Sequence, residues 1–328
     1  MHRDVREKQY LGIVKVYRKL EELNDLEHCI LTIGSFDGLH IGHQALIRKV
    51  TELAKASKTS SAMLTFHPHP RAVLGRDGRP LELITTMKER IRRLEQLQLD
   101  HLAIIPFTRD LSEMQPLAYV EQYIANAFKP KRVVIGFDHR FGYKRSGDAS
   151  LLARLGKAYS FEVDVIDAQK VTELKISSTR IRKALASGEI TQANSLLGCA
   201  FELEGVVVHG EKRGRQLDYP TANLLLQDAK KLIPKPGVYW GLSTIDNKEY
   251  CSMVNIGHRP TYDNGALKVE VHILDWEGDL YGSSLRISFM ERIRDEQTFD
   301  NSNALKTQLQ ADEMLCRARY AQVLGGSK

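Results

Sequence analysis

Near residue 190 the hydrophobic rhythm of this chain changes, and that change limits the possible fold more than any other feature. From 28 to 167, short β-branched runs alternate with helical periodicity. Cys29–Ile33, Ala62–Phe66, Leu102–Phe107, Val133–Phe137 and Phe161–Ile166 read as buried strands. Between them, Leu46, Val50, Leu53 and Ala54 keep helical spacing, as do Met87, Ile91 and Leu94, and Leu117, Val120, Ile124 and Phe128. Such alternation predicts an α/β, Rossmann-like domain with a mostly parallel sheet and helices on both faces. After a short helix expected at Gln192–Leu197, strand-like segments follow with few interruptions: Phe201–Val208, Gly237–Thr244, Glu249–Ile256, Leu267–Trp276 and Ser284–Ile293. Closely spaced strands joined by Gly, Asn and Asp turns predict a small antiparallel β-barrel. A closing helix is expected over Ala304–Val323, with Leu305, Leu309, Leu315 and Ala318 on its apolar side. The expected domains are 1–186 and 187–328.

Composition narrows the function classes. The 328 residues suffice for two domains, and 42% hydrophobic with 27% charged residues is ordinary for a globular protein. No apolar run approaches the roughly 20 residues that span a bilayer, and MHRDVREKQY is too charged for a secretory signal, so a cytoplasmic location is expected. Cys29, Cys199, Cys251 and Cys316 are far apart and form no metal spacing. The net charge of +6 favours anionic partners, but the basic residues come in short pieces rather than an extended stripe, so no nucleic acid is expected.

Two motifs carry phosphate chemistry. In TIGSFDGLHIGH, 32–43, a strand breaks at Gly34 and a helix starts near Gly42. His40 and His43, three residues apart on a first helical turn, share one face. The helix start adds free N–H groups and partial positive charge, and Gly34, Gly38 and Gly42 let backbone approach a phosphate closely. A second half of this site is expected from ISSTRIR, 176–182: Ser177, Ser178 and Thr179 are natural helix caps, and Arg180 and Arg182 add charge. Further along, Gly205–Gly214 is a glycine-bounded basic loop suited to wrapping phosphates. In the PTAN that follows, Thr221 and Asn223 present oxygens on one side of an extended segment, hard ligands that suit Mg²⁺. Glu270 alternates with Val269 and Val271, so it points away from them.

GSFDGLHIGH, TFHPHP (65–70), GFDHRFG (136–142), the RSGD after it and ISSTRIR, in this order, resemble the HxGH nucleotidylyltransferases, and more narrowly the FMN adenylyltransferase domain of bacterial bifunctional riboflavin kinase/FAD synthetases. GRQLDYPTANL (214–224), GVYWG, NIGHRPT, VEVHILD, DLYG and RDEQTF resemble the riboflavin kinase domain of the same enzymes. The resemblance implies a cytosolic bifunctional transferase that phosphorylates riboflavin to FMN and adenylylates FMN to FAD, each with Mg-ATP. It implies catalytic roles for His40, His43 and Arg182 in the first domain and for Glu270, as the base, in the second. It assigns Gly34, Phe36, Asp37, Gly42, Ser177, Ser178, Thr179, Gly210, Gly214 and Arg215 to ATP, His69, Asp138, Arg140 and Arg294 to flavin, and Thr221 and Asn223 to Mg²⁺.

Three positions depart from the family's pattern. It often has an acidic residue at His67, an aromatic one at His139, and usually glycine at Asp218. A position needing φ > 0 tolerates Asp at some cost, and a carboxylate there is expected to alter ATP or Mg²⁺ dependence. Two other readings use the same fold: an adenylyltransferase with a silent kinase domain, and an RNA-binding or regulatory protein. The second lacks the basic, aromatic-interleaved tract such binding uses.

Overall fold

The computed structural model describes residues 14–23, 26–75, 81–166, 176–210, 214, 217–258 and 267–325. The chain forms two compact units that divide between Ile176 and Ser177, ten residues before the expected boundary.

The first unit is a six-stranded, wholly parallel sheet of β1 (Lys15–Tyr17), β2 (Ile30–Ile33), β3 (Ser61–His67), β4 (His101–Pro106), β5 (Arg132–Gly136) and β6 (Glu162–Ile166), in the order β1-β4-β3-β2-β5-β6. Its inner strands β2, β3, β4 and β5 are buried and mostly apolar because both faces are covered, while the edge strands β1 and β6 are partly exposed. On one face Ile30, Met63, Leu102 and Val134 pack against α1 (Ile41–Ala56) and α3 (Met87–Gln96) through Ile47, Val50 and Leu94. On the other, Leu31, Leu64, Ala103 and Val133 meet Val120 of α5 (Pro116–Val120) and Leu152 of α6 (Ala149–Ala158), with Ile124 and Phe128 between those helices in sequence. Two short helices, α2 (Pro70–Leu74) and α4 (Arg109–Glu113), complete the unit. The five expected strands are present, and β1 is an addition.

The second unit begins with α7 (Ser178–Ser187) and α8 (Ile190–Leu197). Six antiparallel strands then close a barrel: β7 (Phe201–Val208), β8 (Ala222–Leu226), β9 (Gly237–Ile245), β10 (Lys248–His258), β11 (Leu267–Ile273) and β12 (Ser284–Arg294), in the cyclic order β10-β11-β8-β7-β12-β9. The barrel and its terminal helix, α9 (Ser302–Gly325), match the expected architecture. The inner face of α9 differs. Asp312 and Cys316 are buried, with Leu309 and Tyr320 packing beside them, whereas Leu315 is 39% exposed. The true inner stripe, 309–312–316–320, includes a charged residue, so an apolar count alone put the helix in the wrong phase. Among the described residues no helix is long and apolar enough to cross a membrane.

Candidate active sites

Strand order in the first sheet reverses between β2 and β5: the chain builds outward from β2 through β3 and β4, then returns to place β5 on β2's other side. Ligands in open α/β sheets bind at the carboxyl ends of strands at such a reversal. The two loops there are the expected ones, GSFDGLH after β2 and FDHRFG after β5.

The loop after β2 is held in an unusual backbone path. Phe36, Gly38 and Leu39 have φ of 48°, 87° and 43°. Non-glycine residues take such angles at a cost, here offset by burial of both the Phe36 and Leu39 side chains. Asp37 points inward. Its carboxylate accepts hydrogen bonds from the Ile84 and Thr85 backbone N–H groups (3.2 and 3.0 Å) and the Thr85 hydroxyl (3.2 Å), and lies 3.6 Å from buried Arg90. Thr85 Oγ1 in turn accepts from the Gly38 N–H at 2.9 Å, and Arg93 donates to the Gly38 carbonyl at 3.2 Å. Asp37, expected at ATP, therefore anchors the loop from beneath.

His40 caps α1, its Nδ1 accepting from the His43 N–H at 3.3 Å. That bond leaves the proton of the neutral ring on Nε2. The two imidazoles stack at 3.6 Å between ring centres, and His43 meets Phe36 edge-on at 5.1 Å. Burial pulls His40 down to about 4, against the opposing charges of Asp138 and Asp37. Burial, then the nearby His40 and Arg90, hold His43 well below its usual range. Both rings are neutral at pH 7. Gly34 packs under the Phe36 ring, and Gly42 sits against the His40 ring.

The charge of Asp138 reaches His40, which ties the second loop to the first. His139 beside it is lowered to about 4 by burial, and its Nε2 is buried with no partner among the described residues. Arg140 is exposed and 3.6 Å from Asp148, the cap of α6. His69 caps α2, its Nδ1 accepting from the Arg71 N–H at 3.1 Å. Ser177, Ser178, Thr179 and Arg182 open α7, where Ser177 is the N-cap, and belong to the second compact unit.

In the barrel, β8 brings the PTAN residues beside β11. Asn223 lies opposite Glu270, and Glu270 lies opposite Asn255 of β10 on its other side. Directly opposed residues share a sheet face with Cβ atoms about 5 Å apart. Val269 and Val271 fill the barrel interior, so Asn223, Glu270 and Asn255 form a polar row on the outside. Asn255 was not singled out from sequence, where it reads as one more strand residue. A cavity of about 540 Å³ opens at Asn223, lined by Gly210, Pro220 and Thr221, by Val207, Val271 and Ile273 of the barrel, and by the Trp276–Tyr281 segment. Gly210 packs so tightly on the Asn223 amide that a Cβ there would overlap it. Gly214 likewise abuts the Tyr219 carbonyl, and its own carbonyl accepts from the Tyr219 N–H at 2.9 Å. Arg215 lies outside the described residues. Arg294, expected at flavin, gives its guanidinium to buried Asp312 at 2.7–3.1 Å.

Two family matches divide the chain much as its motifs do: FAD synthetase over residues 22–180 and riboflavin kinase over 197–320. A bifunctional riboflavin kinase/FMN adenylyltransferase from Listeria monocytogenes is 36% identical over 295 residues, covering 90% of this chain and 93% of the relative. One of the same name from Escherichia coli K12 is 34% identical over 309 residues, covering 93% and 97%. This chain belongs to the bifunctional riboflavin kinase/FMN adenylyltransferase family. A crystal structure described as a macrolide-efflux protein from Streptococcus pneumoniae shares the architecture, with TM-score 0.83 and 32% identity over 93% of this chain and 99% of that one.

Against the pattern of riboflavin kinase/FMN adenylyltransferases, Asp218 takes on a definite geometry. Its φ is 67°, the left-handed conformation that favours glycine, and its carboxylate pairs with Lys306 of α9 at 2.6 Å. The other residues that sequence reasoning missed, Thr85, Arg90 and Arg93, sit in a run (TTMKERIRR) that reads as an ordinary solvated helix face. Only burial of Arg90 and Arg93 distinguishes it.

Proposed function

We propose that the second unit transfers the terminal phosphate of ATP to the primary hydroxyl of riboflavin, and that the first unit joins the resulting FMN to the AMP moiety of a second ATP. The observation that supports the kinase reading is the placement of Asn223 directly opposite Glu270 on the neighbouring strand, with Asn223, Thr221 and Gly210 lining a cavity of about 540 Å³. An alcohol is a poor nucleophile until its proton is removed. Glu270 accepts that proton as the new O–P bond forms and the β–γ bond breaks, releasing ADP. Thr221 and Asn223 offer hard oxygens on one face and fit a divalent cation, Mg²⁺ in this reading. Such a cation, when bound, supplies positive charge against the phosphate oxygens. Gly210, with no Cβ to overlap the Asn223 amide, lets the phosphate loop lie against these oxygens.

Adenylyl transfer makes a different demand. The FMN phosphate is already anionic, so no strong base is required. It attacks the α-phosphorus, the bond to the β-phosphate breaks, and pyrophosphate leaves. Positioning and charge stabilisation dominate such a step. His40 Nε2–H, the His43 ring and the free N–H groups of α1 supply neutral donors. Asp138, Arg140 and His69 contact the flavin side, and Arg182 with the Ser177–Thr179 cap of α7 carries charge and N–H groups of the kind that bind phosphate.

Product analysis of purified protein with riboflavin, ATP and Mg²⁺ tests both halves. FMN followed by FAD is expected. Glu270→Gln should abolish FMN formation by a factor of about 10² or more while leaving FAD synthesis from supplied FMN intact, and His43→Ala should do the reverse. FAD from supplied FMN but no FMN from riboflavin would overturn the kinase half.

A further inference from the structure

Two walls of the barrel cavity come from distant parts of the chain, Pro220–Asn223 and Trp276–Tyr281. One hydrogen-bonded chain on α9 joins the residues that lead into them. The Tyr219 hydroxyl, immediately before Pro220, donates to Glu313 Oε2 at 2.8 Å. Arg317, one turn further along α9, donates through Nε to Glu313 Oε1 at 2.8 Å. The same guanidinium grips Asp275, immediately before Trp276, in a bidentate pair of 2.6 and 2.8 Å. Tyr219 and Asp275 thus meet through two side chains four residues apart on a single rigid element.

The two wall segments are also joined where β8 pairs with β11, Asn223 opposite Glu270 and Ala222 opposite Val271, and by His272 Nδ1 at 2.8 Å from the Pro220 carbonyl; beyond these contacts, the α9 chain is what holds the irregular segment after Asp275. Asp275 has φ 55° at the corner where β11 ends, and the segment after it is irregular. Tyr219 is buried against Trp240 and Cys316, so its backbone position follows α9. A bidentate arginine–carboxylate pair fixes geometry more than a single contact does. The chain also stays charged across the working pH range. Hydrogen bonding from Arg317 holds the Asp275 carboxyl below its usual value, and burial pushes the Tyr219 hydroxyl up to about 12, so it remains a donor.

We infer that Glu313 and Arg317 are positioning residues that set the width of the nucleotide cavity, and thereby the affinity of the kinase site for ATP. This rests on the kinase reading above. Glu313 and Arg317 touch neither substrate; they act through Tyr219 and Asp275.

The test uses the intact chain with Arg317→Gln, Arg317→Lys and Tyr219→Phe. Initial rates of FMN formation are measured against ATP and against riboflavin, alongside titration with a non-hydrolysable ATP analogue. Arg317→Gln should raise the KM for ATP and the analogue's Kd together, by about three- to ten-fold, the scale of a partly exposed ion-pair network. The kcat and the KM for riboflavin should stay within about two-fold of the parent, on the same scale. Arg317→Lys should recover part of the loss, and adding Tyr219→Phe to Arg317→Gln should cost less than the sum of the two, since both cut the same chain. An unchanged KM for ATP, or equal rises for ATP and riboflavin, would overturn the inference. Absence of FMN formation by the parent protein would sink the kinase reading itself, a result distinct from either.

Discussion

Asp218 occupies a left-handed backbone position where its family usually has glycine, and its carboxylate is neutralised by Lys306 at 2.6 Å. The pair is exposed, so its own contribution to stability is at most about 1 kcal/mol. Its consequence is electrostatic: the negative charge stands two residues before Pro220, which lines the cavity. Removing the lysine leaves that charge bare, whereas removing the aspartate leaves a cation that phosphates tolerate. Lys306→Ala should therefore raise the apparent KM of the kinase step for ATP more than Asp218→Gly does. Equal effects in ATP titrations would remove the electrostatic account. Gly210 makes a sharper demand, because any Cβ there overlaps the Asn223 amide. Gly210→Ala should lower kcat/KM for FMN formation by about ten-fold or more, an overpacking cost of one to three kcal/mol, with adenylylation of supplied FMN unaffected. Wild-type kinase rates in that variant would show that Asn223 has room to move.

At the level of elements, α9 is fixed to the barrel by a buried ion pair, Arg294 with Asp312, rather than by a continuous apolar stripe. Removing one partner of such a pair strands a charge and costs about 3–5 kcal/mol. Asp312→Ala should lower the unfolding midpoint of the barrel strongly, and a paired Arg294→Met, Asp312→Leu change should recover much of that loss. A midpoint insensitive to Asp312→Ala would mean that α9 is held by Cys316, Leu309 and Tyr320 alone. The same helix shows where sequence reading stops. Its period is plain, but the residue turned inward is an aspartate, so its face could not be read from hydrophobicity. Strand β8 was hidden for a related reason. Ala222–Leu226 (ANLLL) has no alternation of residue type, yet Leu224 is buried and Leu225 is 58% exposed. Strand β1 has three residues, too few to show a period. Leu117 had helical spacing with Val120 and Ile124 but is 54% exposed. The π-helical stretch Glu121–Asn126 that follows α5 shifts the phase. By contrast, the five longer strands of the sheet and the placing of both histidines at a strand-to-helix turn were legible, because each rests on local periodicity or on a compact motif; the register that sets Asn223 opposite Glu270 was not, because it joins two distant strands. The cradle of Thr85, Arg90 and Arg93 beneath the histidines was not, because buried charge on a helix looks in sequence like a wet face.

On the scale of the whole molecule, the two units differ in how they respond to acid. The first buries three histidines in neutral form: His40 and His139 are lowered to about 4, and His43 is well below its usual range. In the unfolded chain each would titrate near 6.5. Between those values the unfolded state binds more protons than the folded one, so stability rises with pH and is lost as pH falls from 6.5 towards 4. The full shift corresponds to about 3 kcal/mol each for His40 and His139. The lowered carboxyls of the second unit, among them Asp275 and Asp295, are exposed and are protonated only at lower pH. Both tryptophans, Trp240 and Trp276, lie in the second unit, so their fluorescence reports the barrel alone. Thermal unfolding of the intact chain from pH 7 to pH 4.5 should then split. The fluorescence transition should move little, while circular dichroism should reveal an earlier transition that belongs to the sheet, accompanied by loss of adenylyl transfer before loss of kinase activity. Replacing His139 with phenylalanine, which cannot take up a proton, should push that earlier transition back up at pH 4.5 and leave it nearly unchanged at pH 7. Fluorescence and dichroism transitions that fall together, or a His139→Phe effect equal at both pH values, would show that the buried histidines do not set the acid limit of the first unit.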